Sequence, residues 1–283
     1  TTDKVFKIDT VSTVIESSVL DSIYKKNIEN SIIKTGSTFK TQSFIDEQNR
    51  LTKLYRNSGI YRFNKNAIGF EADSIHAEYK SNVTLLINDS IANVPYKIQH
   101  IKNIKIYTDF FFNTKDQAIK DSINYNGYLF LGREKLKYNP KFLLDAIFIE
   151  PNKIYKDENR ELTRKHLRGL NNFRSVDIKY TELEDDMLEA EIFLTPQKKF
   201  SIGTSTELTH SNIRQLGISG KLSFSNRNVF KGAEILNFSV QGSFLDSKDA
   251  AENDRLLNAW EIGADVSLEI PRFILPFNSH KIV

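Results

Sequence analysis

The sequence predicts α+β modules of strand-helix-helix-strand-strand order, followed by the first strands of an antiparallel transmembrane β-barrel. Three observations carry this expectation. Two segments repeat one apolar spacing: Leu54, Ile60 and Phe63 recur as Leu167, Phe173 and Val176, each 113 positions on, and Val83, Leu85 and Ile87 recur as Ala190, Ile192 and Leu194, 107 positions on. Beyond Phe200, four successive stretches keep their apolar residues on one parity. The 283 residues include 20 Phe and 11 Tyr against one Trp and six Pro, a composition that suits pleated surfaces.

In order along the chain, a strand is expected over 5–15, with weaker helical text after it. Phe44, Glu47, Leu51, Leu54 and Tyr55 then fall at helical spacing and stop near Gly59, which predicts a main helix over 42–57. Strands at about 60–71 and 82–88 complete a first module of residues 1–92. A second module, 94–196, opens with a strand at 96–107. It carries an insertion at about 108–138 containing Phe110-Phe111-Phe112 and Tyr125-Asn126-Gly127-Tyr128, read as an elaborated loop or extra hairpin. Leu162, His166, Leu167 and Leu170 share one helical stripe within 157–170, and Val176, Ile178 and Tyr180 alternate as a strand. The acidic turn from Glu182 to Asp186 leads into the final strand, Leu188 to Leu194. Such a unit folds as a small sheet with two helices on one face.

Residues 197–283 read as about four long strands of an up-and-down meander. Their polar parity is mostly Ser, Gly, Thr and Asn, where a soluble sheet would present charge. That mixture suits a wet lumen, with the apolar parity turned to lipid. Leu222, Phe238, Val240, Ile262 and Val266, together with Ile202 and Ile218, are expected to face lipid, and Ser205, Ser219, Gln241 and Asp265 the lumen. Trp260 and Phe230 fall near strand ends, where aromatic rings favour the interface. A soluble antiparallel sheet is the alternative. The mean hydropathy of -0.40 does not separate the two, because an alternating barrel strand averages to mildly polar.

Several function classes fall away. The net charge of +3 gives no reason to expect nucleic acid, and zero cysteines exclude disulfides, thiolate metal sites and thiol nucleophiles. No apolar run is long enough for a membrane helix, and Thr1-Thr2-Asp3-Lys4 lacks a signal-peptide core, so any export signal is expected to have been removed. The histidines His76, His100, His166, His210 and His280 are scattered, and no nucleophile elbow, phosphate loop or dinucleotide fingerprint occurs. His166 reads as a packing or helix-end residue. The acids Glu182, Glu184, Asp185 and Asp186 lack the glycine of a calcium loop, and Arg160, Arg164, Lys165 and Arg168 read as a solvated basic face. No enzyme is expected, and no catalytic, cofactor or metal residue is assigned.

The residues resemble the BamA/TamA superfamily of outer-membrane assembly proteins, in which POTRA domains precede a barrel. The module order is the POTRA order. At the junction, Leu188 to Leu194 followed by Thr195-Pro196-Gln197-Lys198-Lys199-Phe200 looks like a last POTRA strand passing into a first barrel strand. Ser225-Asn226-Arg227-Asn228-Val229-Phe230-Lys231-Gly232-Ala233-Glu234 resembles the family's first periplasmic-side turn, and Pro271-Arg272-Phe273-Ile274-Leu275-Pro276 the next. The pattern of 145–155 and 125–131 is most similar to the TamA-like lipoprotein branch, TamL, with BamA as the other branch.

The resemblance implies an outer-membrane insertion factor of a Gram-negative bacterium with its POTRA domains in the periplasm. Its implied partners are outer-membrane or surface client proteins, a periplasm-spanning TamB-like protein or assembly-complex subunits, and outer-membrane lipid. A secretion transporter is the alternative within the family, and a soluble β-rich carbohydrate or peptide binder the alternative outside it. An extended client can add to an open POTRA edge through main-chain hydrogen bonds. The edge implied is 173–181, with Phe173, Val176, Ile178 and Tyr180, and 60–70 in the first module. The first barrel strand, with Phe200, Ile202, Thr204, Thr206 and Leu208, is implied as one side of a weak seam where nascent barrels enter. About 80 residues follow Phe200, too few for a family barrel, so the sequence is expected to be part of a longer chain.

Overall fold

A computed structural model describes residues 6–75, 79–88, 90–91, 94–114, 116–210, 214–247 and 259–271. The start of the first expected strand at Val5, His76, His280 and the turn from Arg272 to Pro276 lie outside the described residues. Two compact units divide the chain: 1–104 with 148–162 and 178–191, and 105–147 with 163–177 and 192–283.

The first unit contains β1 (Lys7–Ile15), α1 (Ser18–Lys25), α2 (Thr41–Asn57), β2 (Ile68–Ile75) and β3 (Lys80–Ile87), the expected strand-helix-helix-strand-strand order. The sheet order is β1-β3-β2, with β1 parallel to β3 and β2 antiparallel to it. Strand β3 alternates strictly, and Val83, Leu85 and Ile87 are buried. Leu20 and Tyr24 of α1 and Leu51 and Tyr55 of α2 close over this face. Ser17 caps α1 by accepting from the Leu20 N–H. At the end of α2, Gly59 takes φ +101°, and a Cβ there would lie 2.7 Å from Ile98 Cγ2 and 2.9 Å from Ile154 Cγ2, so only glycine fits.

One strand expectation needs correction. Residues 60–67 are turn and 3₁₀ structure, and β2 begins only at Ile68. Asn64 Oδ1 accepts from the Asn66 N–H at 2.9 Å, a local Asx turn that competes with extension. Ile60 and Phe63 are buried all the same, which is why their spacing matches that of Phe173 and Val176 while their backbone does not.

A two-residue ladder of β4 (Ser90–Ile91) with β5 (Val94–Pro95) precedes β6 (His100–Tyr107). The insertion forms a hairpin of β7 (Asp121–Tyr125) and β8 (Tyr128–Gly132), turned by Asn126 and Gly127 at φ 53° and 83°. Then come α3 (Pro140–Leu144), α4 (Asp157–Gly169), β9 (Phe173–Glu182) and β10 (Met187–Pro196). These make a five-stranded sheet, β7-β8-β6-β10-β9, whose last three strands have residues in both units.

The second unit also holds an antiparallel meander of β11 (Phe200–Thr209), β12 (Arg214–Arg227), β13 (Ile235–Ser247) and β14 (Ala259–Glu269), paired in sequence order. No helix among the described residues is long and apolar enough to cross a membrane.

Candidate functional site: open strand edges and a two-faced meander

An unpaired sheet edge offers free N–H and C=O groups to any extended chain. In the first sheet the start of the β1 edge is already occupied. Ile8 N donates to Ser37 O at 2.9 Å, Gly36 N to Ile8 O at 2.7 Å and Phe39 N to Phe6 O at 2.8 Å. The segment before α2 thus covers the start of β1, and β2 is the other edge of the sheet. The expected edge at 60–70 therefore moves to 68–75. The segment before α4 treats β6 in the same way: Ile101 N donates to Lys153 O and Tyr155 N to Gln99 O, both at 2.9 Å.

The five-stranded sheet ends at β7 and β9. Along β9, Phe173, Val176 and Ile178 are buried, while Arg174, Ser175, Asp177 and Lys179 are exposed. The expected edge residues therefore face inward, and the edge offers its backbone groups rather than these side chains. The far end of β9 is engaged within the first unit: the Tyr180 ring lies 5.5 Å from that of Tyr61 and 5.1 Å from that of Tyr155, and Glu182 pairs with Arg62 at 2.5 Å. Burial pushes the Tyr180 hydroxyl far up, so it stays a neutral phenol.

The near end, at 174–177, borders an open hollow of about 630 Å³ in the second unit, walled by Phe110 to Phe112 and Phe193. Phe193 stacks on Tyr107 at 4.9 Å and meets Phe110 at 4.8 Å, and the Arg133 guanidinium lies 5.4 Å from the Phe110 ring centroid. Phe112 is 79% exposed. In the sequence these rings fall in an insertion with no assigned role. Three consecutive aromatics in a loop were the available signal.

A charged cluster lies beside the far end of β9 within the first unit. Arg56 donates to Asp157 Oδ1 at 2.8 Å and to the Tyr155 hydroxyl at 3.0 Å, and Tyr155 donates to Asp157 at 2.8 Å. Burial pushes the Asp157 carboxyl up, but hydrogen bonds from Arg56 and Tyr155 outweigh it and hold it below the usual carboxylate range. Asn57 Oδ1 accepts from the Glu158 N–H at 2.9 Å, so the end of α2 caps the start of α4. The Glu47 carboxylate, an acid on the apolar stripe of α2, is buried and accepts from Arg50, Ser31 Oγ and the Ile32 N–H. Burial raises its pKa, while Arg50, the Ile32 N–H and Ser31 bring it below the usual value.

The meander presents two chemically distinct faces. Its register sets Ile202 opposite Phe224, Leu222 opposite Val240 and Phe238 opposite Val266, with Ile262 opposite Gly242, so the expected lipid-facing residues share one face. They are exposed, Ile202 and Val266 to 74% and 67%. Phe200, Thr204, Thr206 and Leu208 lie on the same face of β11, the first strand of the sheet. The opposite face pairs Ser223 with Ser239 and Lys221 with Gln241, around a shallow hollow of about 210 Å³ that Glu261 and Asp265 also line. The apolar face and the mostly small polar face are legible as the period-2 text.

Among the described residues no group of His, Asp and Glu is arranged to hold a metal ion. In the acidic turn, Glu182 pairs with Arg62 and Asp186 with Lys97 at 2.9 Å, so two of its carboxylates already hold protein cations. Arg160 of the basic helix face pairs with Asp157 and Glu161, and His166 sits in the last turn of α4.

No family model matches the sequence, and no curated protein matches it. Among solved structures, the chain is similar to BamA from Haemophilus ducreyi lacking POTRA domains 1–3, with 8% identity and a TM-score of 0.48, covering 86% of this chain and 44% of that one. It is similar to CdiB from Acinetobacter baumannii at 12% identity and a TM-score of 0.40, covering 87% and 40%. It is also similar to POTRA1-3 of the periplasmic domain of Omp85 from Anabaena at 13% identity and a TM-score of 0.29, covering 69% and 66%. The chain spans less than half the length of the first two.

Proposed function

We propose that this chain is part of an outer-membrane protein assembly factor of the BamA/TamA superfamily, on its TamA-like lipoprotein branch, with POTRA modules in the periplasm and the meander as the first strands of a barrel. The observation that carries this reading is the exposed apolar face of the meander. On four adjacent strands Ile202, Leu208, Leu222, Phe224, Phe238, Val240, Phe244, Trp260, Ile262, Val266 and Leu268 are all exposed beyond a third of their surface. A contiguous apolar face of that extent is unfavourable in water and favourable in lipid. Strands of 10 to 14 residues suffice to cross a tilted bilayer span.

The mechanism needs no covalent step. A client in extended form adds to the open edge at 173–177 or 68–75, where main-chain groups bind it without fixed sequence, and passes to β11, whose outer side has no partner strand among the described residues. TamB-like proteins, assembly subunits and surface proteins are the partners this reading implies.

Amide hydrogen exchange on the protein with and without an unfolded barrel client tests the edge. Protection should appear at 173–177 and not at β7, the other end of the same sheet. Equal protection at both, or none at β9, would overturn client capture there. Sidedness has its own test: a cysteine at Val240 should resist aqueous labelling in the folded protein and one at Gln241 should react. The reverse would return the meander to a soluble sheet.

A further inference from the structure

A further hollow, of about 540 Å³, lies in the second unit between residues 134–138, which precede α3, and the turn 227–231, which joins β12 to β13. Its walls are tied together. Asn139 N donates to Lys231 O at 2.8 Å, and Asn228 Nδ2 donates to Lys137 O at 2.8 Å. Arg227 reaches from the end of β12 to Ser201 Oγ at 3.0 Å and to Asn171 O at 3.3 Å, which holds its guanidinium in place.

The charge of this hollow is one-sided. Lys135, Lys137, Lys199, Arg227 and Lys231 line it, with Glu134 as the one acid, and Glu134 is taken by Lys137 at 2.7 Å. Among the described residues no carboxylate lies within ion-pair distance of Lys135, Lys199, Arg227 or Lys231. The nearby carboxylate of Glu234 is buried and accepts from the Phe230 and Gly232 N–H groups, so it shapes the turn. Like charges gathered in one concavity raise each other's potential, and an anion entering it relieves that repulsion. A phosphate oxygen is the natural acceptor for an arginine fork and several ammonium groups.

Position selects the source of the phosphate. Phe230, 67% exposed, projects from the same turn, at the end of two strands whose apolar face is exposed. Cations beside an exposed aromatic ring at a strand end match the chemistry of a bilayer interface, where rings sit at headgroup depth and basic side chains reach phosphates.

We infer that this hollow binds the phosphate of an anionic phospholipid headgroup, so that the second module is held against the inner surface of the membrane. The inference rests on the barrel reading given above. The test is the whole protein in nanodiscs of phosphatidylcholine doped with spin-labelled phosphatidylglycerol or spin-labelled phosphatidylcholine, reading the fraction of each label immobilised by the protein. The native protein should prefer phosphatidylglycerol at least about five-fold, the effect of a single engaged cation near a charged surface, and added salt should weaken the preference. The triple variant Lys135→Gln, Lys199→Gln, Lys231→Gln should lose it. The control variant Lys26→Gln, Lys53→Gln, Lys165→Gln, which removes the same charge from exposed positions elsewhere, should keep it. No preference in the native protein, or equal loss in both variants, would overturn the inference. So would abolition of the preference by millimolar inorganic phosphate, which would assign the hollow to free phosphate. A protein that inserts without selectivity defeats this inference alone, whereas one that stays out of the nanodisc defeats the barrel reading with it.

Discussion

In β3 of the first module, Val83, Leu85 and Ile87 are between 0% and 3% exposed, whereas in β11 of the meander Ile202 and Leu208 are 74% and 75% exposed. Both strands alternate apolar and polar residues, so the period alone gives the strand and not its surroundings. The alternate positions carry the distinction. Strand β10, with the same inward pattern as β3, presents Glu189 and Glu191 on its other side, while β11 presents Ser201, Gly203 and Ser205 with a single charge at Glu207. Charge opposite an apolar face marks an ordinary water boundary. On the meander the few charges, Glu207, Lys221, Glu261 and Asp265 among them, are scattered among Ser and Gly, and the apolar face is the exposed one.

The comparison can be broken most severely at Glu47. A carboxylate belongs in the interior of the first module only because Arg50, Ser31 and Ile32 surround it. Glu47→Ala should cost about 3 to 5 kcal/mol in denaturant unfolding, the loss expected when one partner of a buried ion pair is removed. Glu261→Ala, on the open polar face of the meander, should leave stability unchanged. A comparable loss at both positions would mean that the two regions do not differ.

Next come the apolar positions themselves. Leu85→Ala should cost about 2 to 5 kcal/mol, because it empties a closed core. Ile262→Ala, measured in the same detergent-solubilised protein, should cost well under half as much, since detergent or lipid refills the space.

Charge inserted into the meander then sharpens the contrast between its faces. Val240→Arg should reduce membrane assembly by about 2 to 4 kcal/mol, as for a midplane arginine on the lipid side, and Gln241→Arg should assemble normally.

The acid response is smaller and confined to the α+β part. The folded pKa of Glu47 lies below its unfolded value, so its stabilisation is full above roughly pH 4.3 and disappears as pH falls through the folded value. Thermal unfolding of the native chain should drop over that window, and the drop should be shallower in Glu47→Gln. Smallest of all, Asn57→Ala removes the acceptor that caps α4 and should cost about 1 kcal/mol.

Much of this was legible in the sequence. The helices expected at 42–57 and 157–170 occur at Thr41–Asn57 and Asp157–Gly169, and β11 occurs at Phe200–Thr209, because amphipathic period and a glycine stop are local signals. The turn at 60–67 does not show in the apolar spacing, because Ile60 and Phe63 are buried whether or not the backbone is extended, although Asn64 and Asn66 carry the turn chemistry. The hairpin in the insertion was half seen, through Asn126-Gly127. What the sequence could not reveal was long-range: that 36–39 covers the flank of β1, that Phe110 to Phe112 overhang the near end of β9, and that Lys135 and Lys231, far apart in the chain, share one hollow. None of these leaves a periodic trace.

The parallel pairing of β1 with β3, from Lys7 opposite Lys80 to Ile15 opposite Ile87, has a mechanical consequence. Tension applied to the first module through the chain on either side pulls the start of β1 and the end of β3 in opposite directions along their shared ladder. The hydrogen bonds are then loaded together in shear, where an antiparallel pair pulled from one end would peel one bond at a time. The module is built as a taut link, able to pass a pull from one end to the other before it yields. In a single-molecule experiment it should rupture at higher force when held at residues 7 and 87 than when held at 7 and 80.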